Sequence, residues 1–298
     1  MNSLDGMGAP ARPGFCSSAG APAVLDRLRR ELCAAEAAAG LSPDGGAALG
    51  LGISAIDRVL GGGLSCGALH EIAAAHETET AAATGFALAL AARQAFLSRE
   101  SAARTGASAV STRITGRSLL WIAEDFSLAE NGAPYGPGLD GAGIAPERLI
   151  TVTAARDRDV LWAMEEALRC RAVGVVIGEM RSRGIDQVMT RRLALAAAAG
   201  DTLGLLLRTA PHDEPSAAAT RWIIGATPSS SLRSGGGDER CHGLGPPRLT
   251  ARLVRNRRGH LGAWIVEWNS VEQRFELATH SEPLAGTAFD RPHRAAVA

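Results

Sequence analysis

Residues 75–81 read Ala75-His76-Glu77-Thr78-Glu79-Thr80-Ala81 and lie between an apolar run, Ala68–Ala73, and an alanine-rich one, Ala81–Ala92. Strand, turn and helix in that order are the setting of a phosphate-binding loop. Such a loop needs glycines to bring backbone N–H groups onto phosphate, a lysine to reach the outer phosphates, and a hydroxyl for Mg²⁺, in the pattern GxxxxGK[ST]. This stretch supplies none of them. Ala74 and Glu79 stand at the glycine positions, Thr80 at the lysine position and Ala81 at the hydroxyl position. Glu77 and Glu79 put carboxylates where phosphates would lie, and two like charges about 4 Å apart repel by roughly 4 kcal/mol at an effective dielectric of 20. No lysine elsewhere can substitute, because all 31 basic residues are arginine. The expectation is a protein with no bound nucleotide or other cofactor, no catalytic residue and no enzymatic activity.

Other chemistries lack their residues. The seven histidines show no HxxxH or HExxH spacing, and the five cysteines (Cys16, Cys33, Cys66, Cys170, Cys241) are scattered without a CxxC, so neither a metal site nor a disulfide framework is expected. No GxSxG elbow is present. His70, next to Glu71 on the first strand, reads as a structural histidine. A net charge of zero and a pI near 7.1 exclude a global basic field that would draw the chain to nucleic acid. The N-terminus carries no basic-then-apolar signal segment, and the apolar runs fall short of the ~20 residues that span a bilayer. A cytoplasmic protein with no membrane partner is expected.

The elements that must position these residues follow from periodicity. Residues 1–21, rich in Gly, Ala, Pro and Ser, read as a flexible tail. Pro22 opens a helix over 22–39 with Leu25, Leu28, Leu32 and Ala35 on one stripe, and the domain boundary falls at 47. Ile53, Ile56, Val59 and Leu60 form one face of a short helix, with Asp57 facing away, before the breaking glycines Gly61, Gly62 and Gly63. Apolar strands are expected at Ser118–Ala123, Leu149–Val152, Ala172–Glu179, Thr202–Leu207 and Ala217–Ala226, and helices at Ala81–Ala92, Arg158–Arg171 and Ile185–Ala199. Leu97–Arg117 reads as an exposed arginine-bearing loop, and Asn131–Gly143 as a glycine- and proline-rich turn region. Alternation of strand and helix implies an α/β fold: a mostly parallel sheet flanked by helices. Arg248–Arg255 and Gly262–Trp268 form a C-terminal β-hairpin, after a Ser/Gly-rich stretch at 228–247 that reads as mobile. The core is expected to run over 48–280, with a polar tail at 281–298. With aromatics at 4%, that core should be mainly Leu, Ile, Val and Ala.

The order helix, GGGL turn, strand, turn and helix over Leu49–Ala92 resembles the opening of the RecA-like ATPase core. The resemblance assigns the P-loop position to 75–81, a water-activating glutamate to Glu124 and the Walker B acid to Glu179; without phosphate to act on, both acids are read as remnants. The two DNA-binding loops of that core are reduced here to Met180–Gly184, with Arg181 and Arg183, and to Pro211–Ser216, with Asp213 and Glu214. Arg208, at the position of a polar nucleotide sensor, is read as a solvated arginine. In RLVRNRRGHLGAWIVEWN, Arg255 and Arg257 match basic residues that in RecA reach a neighbour's nucleotide. Here a partner's site, nucleic acid or plain solvation all remain open for them. The stripe of Leu25, Leu28 and Leu32 matches a helix that in RecA packs on the next subunit, and packing on its own core remains the alternative.

Taken together, a RecA-like core with a GGGL turn, an altered P-loop, short DNA loops and an RNRxG hairpin resembles the ImuA family, over about residues 22–280. That resemblance implies a non-enzymatic accessory factor of damage-induced, error-prone translesion synthesis. Its implied partners are an ImuB-type polymerase-like protein, an error-prone C-family polymerase and RecA, with weak or indirect DNA contact and recruitment to the nucleoid. The alternatives are a RecA/KaiC-type ATPase using Glu124 and Glu179, and an inhibitor of cell division in the SOS response.

Overall fold

In the computed structural model the described residues are 47–104, 117–181, 184–229, 231–233 and 242–278. The helix expected at 22–39, the 281–298 tail, Arg183 and, within the stretch expected to be mobile at 228–247, residues 230 and 234–241 therefore lie outside them. The strands are β1 (Ala48–Leu49), β2 (Leu64–Ser65), β3 (Leu69–Ala74), β4 (Ser118–Glu124), β5 (Leu149–Ala154), β6 (Val173–Met180), β7 (Leu203–Arg208), β8 (Thr220–Thr227), β9 (Ser231–Arg233), β10 (His242–Leu244), β11 (Arg248–Asn256), β12 (Gly262–Asn269) and β13 (Arg274–Leu277). The helices are α1 (Ser54–Val59), α2 (Thr80–Arg104), α3 (Asp125–Asn131), α4 (Gly136–Ala142), α5 (Asp157–Arg169) and α6 (Gln187–Gly200). Nine strands form one sheet in the order β13-β12-β11-β8-β3-β7-β6-β4-β5. From β8 to β5 every pairing is parallel; β11, β12 and β13 join antiparallel at the other end.

The two faces of the sheet are covered differently, as the period of two along each strand requires. Ile72, Ile177, Leu205, Leu207, Trp222 and Ile224 pack under α2, whereas Leu69, Ile122, Val176 and Leu206 pack under α5 and α6. Small residues let α2 sit close: Ala83, Phe86, Ala87, Leu90 and Ala91 are buried. By length and composition the helix could cross a membrane, but its buried stripe against the sheet accounts for its apolar character. Aromatics are few yet concentrated. Phe86 meets Trp222 (5.6 Å between ring centroids) and Phe275 (5.1 Å), Trp222 meets Trp264 (6.1 Å), and Trp268 meets Phe275 (5.0 Å). This cluster welds the antiparallel strands to α2.

Several expectations need correction. α2 continues to Arg104, so Arg99 and Arg104 are helical rather than in a loop. Asn131–Gly143 is not only a turn region: α4 forms there because Leu139 buries itself in the core, and Gly143, at φ +91°, ends α4 in a left-handed cap. Asp57 does not face away from the core; its carboxylate accepts from the backbone N–H of Leu51 (2.7 Å) and Gly52 (3.3 Å), tying the entry loop to α1. Strand β13 was not anticipated. Gly63, at φ +138°, has no room for a side chain, since a Cβ would lie 2.4 Å from the Leu49 carbonyl oxygen.

His70 is structural, as expected, and fully buried. Its Nε2–H donates to the Ser65 carbonyl (2.9 Å), and its Nδ1 accepts from the Thr220 hydroxyl (2.8 Å), which in turn accepts from Trp222 Nε1 (3.0 Å). Burial pushes the imidazole down to about 4. Its folded pKa lies below the unfolded one, so the unfolded chain binds the extra proton between pH 4 and 6.5. The stability tied to His70 is thus present above pH 6.5 and lost as pH falls toward 4, about 3 kcal/mol in all. Urea unfolding at steps across this window should give a His70→Gln variant whose stability differs from the parent's most at neutral pH and converges with it on acidification.

Candidate functional site

Parallel strands place their C-terminal ends along one edge of the sheet, and α/β proteins put ligands at that edge. Residues 75–81 stand there, after β3. The Ala75 N–H donates to the Ile224 carbonyl (2.7 Å), Glu77–Glu79 form one 3₁₀ turn, and the Thr80 hydroxyl donates to the Glu77 carbonyl (2.8 Å). Glu79 does not project into an open loop. Its Oε1 accepts from the Ala226 N–H of β8 (3.1 Å), while His76, Glu77, Thr78 and Ala81 are exposed. An acceptor thus takes a backbone donor at the place where a phosphate loop would present donors to its ligand.

Glu124 and Glu179 end neighbouring strands but point apart. Glu179 is buried and accepts from the Ser127 hydroxyl and from Asn131 Nδ2 (3.4 Å). Glu124 faces the carboxyl of Asp157 at the start of α5; the hydrogen bond between the two acids, aided by burial, raises Glu124 to about 7. Among the described residues no group of three or more His, Cys, Asp or Glu is arranged to hold a metal. The buried Cys66 thiol is pushed up to about 11 by burial and by Asp201, which suppresses its thiolate.

Arg255 and Arg257 lie at the opposite end of the sheet. Asn256 pairs with Thr220, and Thr220 with His70 at the start of β3, so the hairpin tip is separated from 75–81 by the length of the strands. Arg257 is exposed, and its backbone N–H donates to the Ala219 carbonyl (3.0 Å). Arg255 is half-buried beside Arg221, and burial followed by the charge of Arg221 lowers its guanidinium pKa. Arg181, after β6, pairs with Glu130 and lies over the Phe126 ring (5.4 Å).

The charged cluster that sequence reasoning missed lies between these ends. Glu71 (β3) and Arg221 (β8) are register partners, both buried, and Arg221 Nε donates to Glu71 Oε2 at 2.6 Å. The same guanidinium donates to the carbonyls of His212 (3.0 Å) and Glu214 (2.9 Å), so it clamps the connection from β7 to β8 across the sheet. His212 Nδ1 contacts Glu214 Oε2 at 2.7 Å and its Nε2 lies 3.8 Å from Glu71 Oε2; burial and then Arg208 lower its pKa. Arg208 is buried rather than solvated. Burial lowers its guanidinium pKa, and the charges of Glu71 and Glu214 oppose that shift. The reason is the fold: the β7–β8 connection folds back over the strand end instead of leaving it open to water. An acid in LHEIAA and an arginine in TRWIIGAT, two otherwise mostly apolar strands, were the available signal.

A mostly parallel sheet with helices on both faces and an antiparallel C-terminal extension defines an α/β protein. The chain belongs to the ImuA family: it is 32% identical over 218 residues to Protein ImuA of Caulobacter vibrioides strain NA1000 / CB15N, covering 70% of this chain and 77% of that one. The same figures hold for Protein ImuA of strain ATCC 19089 / CIP 103742 / CB 15. No family model matches the chain. Among solved structures it is similar to the RadB recombinase at 13% identity and a TM-score of 0.46, covering 78% of this chain and 100% of that one.

Removing Arg221 would leave the Glu71 carboxylate buried and unpaired and release the β7–β8 connection. Arg221→Ala should cost about 3–5 kcal/mol in urea unfolding, whereas the double variant Glu71→Gln, Arg221→Met should recover most of that loss.

Proposed function

We propose that this chain is a non-enzymatic, RecA-like accessory factor of damage-induced, error-prone translesion synthesis. It acts through contacts with an ImuB-type polymerase-like protein, an error-prone C-family polymerase and RecA. Membership of the ImuA family supports the pathway, and the observation that carries the non-enzymatic part is Glu79. Its carboxylate occupies the backbone of β8 at the phosphate-loop position, in a chain without a single lysine. Nothing there would neutralise a triphosphate.

The reading extends to DNA. The β7–β8 connection, which corresponds to a DNA-binding loop in RecA, is here clamped by Arg221 and carries Asp213 and Glu214. Net charge is zero. DNA contact is accordingly weak or indirect, and recruitment from the cytoplasm to the nucleoid runs through protein partners.

A second reading, a RecA/KaiC-type ATPase, is favoured by one observation: Glu124, held at about 7 beside Asp157, has the pKa of a general base. Titration calorimetry with Mg-ATP separates the two. The accessory reading expects no binding in the micromolar range, together with co-purification of the tagged chain with the mutagenic polymerase proteins from DNA-damaged cells. A clear micromolar isotherm, with turnover abolished by Glu124→Gln, would overturn it.

A further inference from the structure

Ten large apolar side chains are exposed among the described residues, and four of them share one place, the outer face of the α5–α6 pair. Trp162 on α5 is 63% exposed; on α6, Val188 is 65%, Met189 36% and Leu195 44% exposed. Val188, Arg192 and Leu195 recur at the three- to four-residue spacing of a single helical stripe. Between the helices runs an open groove of about 290 Å³ lined by Arg158, Asp159, Leu161, Trp162, Met189 and Arg192, with Glu165 and Leu193 at its floor. Its shape is held firmly. The buried Glu165 carboxylate bridges Arg169 of its own helix and Arg192 of the other, at 2.5 Å each.

A Trp side chain standing out beside a groove, flanked by arginine and methionine, has the composition of a protein–protein contact. Charge decides which partner. The groove carries two arginines, Arg158 and Arg192, and two acids, Asp159 and Glu165, so it has no net field to attract nucleic acid or a strongly acidic or basic segment. Knob and hole also lie on the same surface, as do both signs of charge. A surface that carries knob, hole and both signs of charge can meet a copy of itself across a two-fold axis, the arrangement of an isologous dimer.

We propose that the α5–α6 face is the contact surface for a second copy of this chain, with Trp162 of each copy entering the groove of the other. The two helices have 13 and 14 residues, which makes them about 20 Å long, so the contact lies at the small end of specific interfaces. It therefore forms reversibly rather than permanently. The surface is separate from residues 75–81 and from the hairpin tip, and the inference does not rest on the pathway reading.

Sedimentation equilibrium of the full chain from about 1 to 200 µM tests it. A monomer–dimer equilibrium is expected, with a dissociation constant on the order of 1–100 µM. Trp162→Glu should raise that constant at least about tenfold with an unchanged circular dichroism spectrum and thermal midpoint, because the residue packs little in the monomer. Met189→Glu, on the other helix, should do the same, and Phe126→Glu, an exposed aromatic elsewhere, should not. Between 50 and 500 mM salt the constant should change by less than about threefold, as suits a mainly apolar contact with no net charge. A chain that stays monomeric throughout, a dimer indifferent to both Trp162→Glu and Met189→Glu, or mass growing beyond the dimer would each overturn the proposal.

Discussion

The buried ion pair between Glu71 and Arg221 is the constraint on which the rest of this molecule turns. It spans β3 and β8, where the parallel part of the sheet meets the strand that carries the antiparallel extension. Two charges in so dry a place are costly unless each finds every partner it needs. Arg221 uses Nε for Glu71 and its two remaining nitrogens for the carbonyls of His212 and Glu214. The connection from β7 to β8 is consequently tied down onto the sheet, and the Arg208 and His212 side chains are drawn in beside the pair.

Apolar packing completes what this pair begins. Phe86 of α2 touches both Trp222 of β8 and Phe275 of β13, so one residue joins the helix to the two extremes of the antiparallel extension. The alanines around Phe86 bring α2 close enough for that contact. On the other face α5 and α6 cover β4, β6 and β7, and their own packing is tight: a Cβ on Gly200 would lie 2.0 Å from the Leu168 carbonyl oxygen. The edge at which α/β proteins bind their ligands carries acidic side chains in internal contacts. Glu79 engages β8, Glu179 engages Ser127 and Asn131, and Glu124 engages Asp157. Each contact satisfies a polar group without any ligand.

The sequence by itself determined the α/β character, the strand–turn–helix around 75–81 and the departure of that turn from the GxxxxGK[ST] pattern. These are local properties: apolar periodicity sets strand and helix, and the absence of glycine, lysine and hydroxyl at fixed spacings is legible one residue at a time. Family membership was equally legible, because it rests on the order of such local signals. Only the tertiary structure decided where the polar side chains turn. Arg208 at a strand end reads as solvated until the β7–β8 connection is seen to fold over it. Asp57 reads as outward-facing until the entry loop returns its N–H groups to it, and α4 forms in a stretch rich in glycine because Leu139 has a core to enter. The pairing of Glu71 with Arg221 joins residues 150 positions apart, and strand register alone brings them together. Long-range electrostatic partnership leaves no periodic mark on a chain, so it is decided where strands meet, and that is where this molecule keeps its charges.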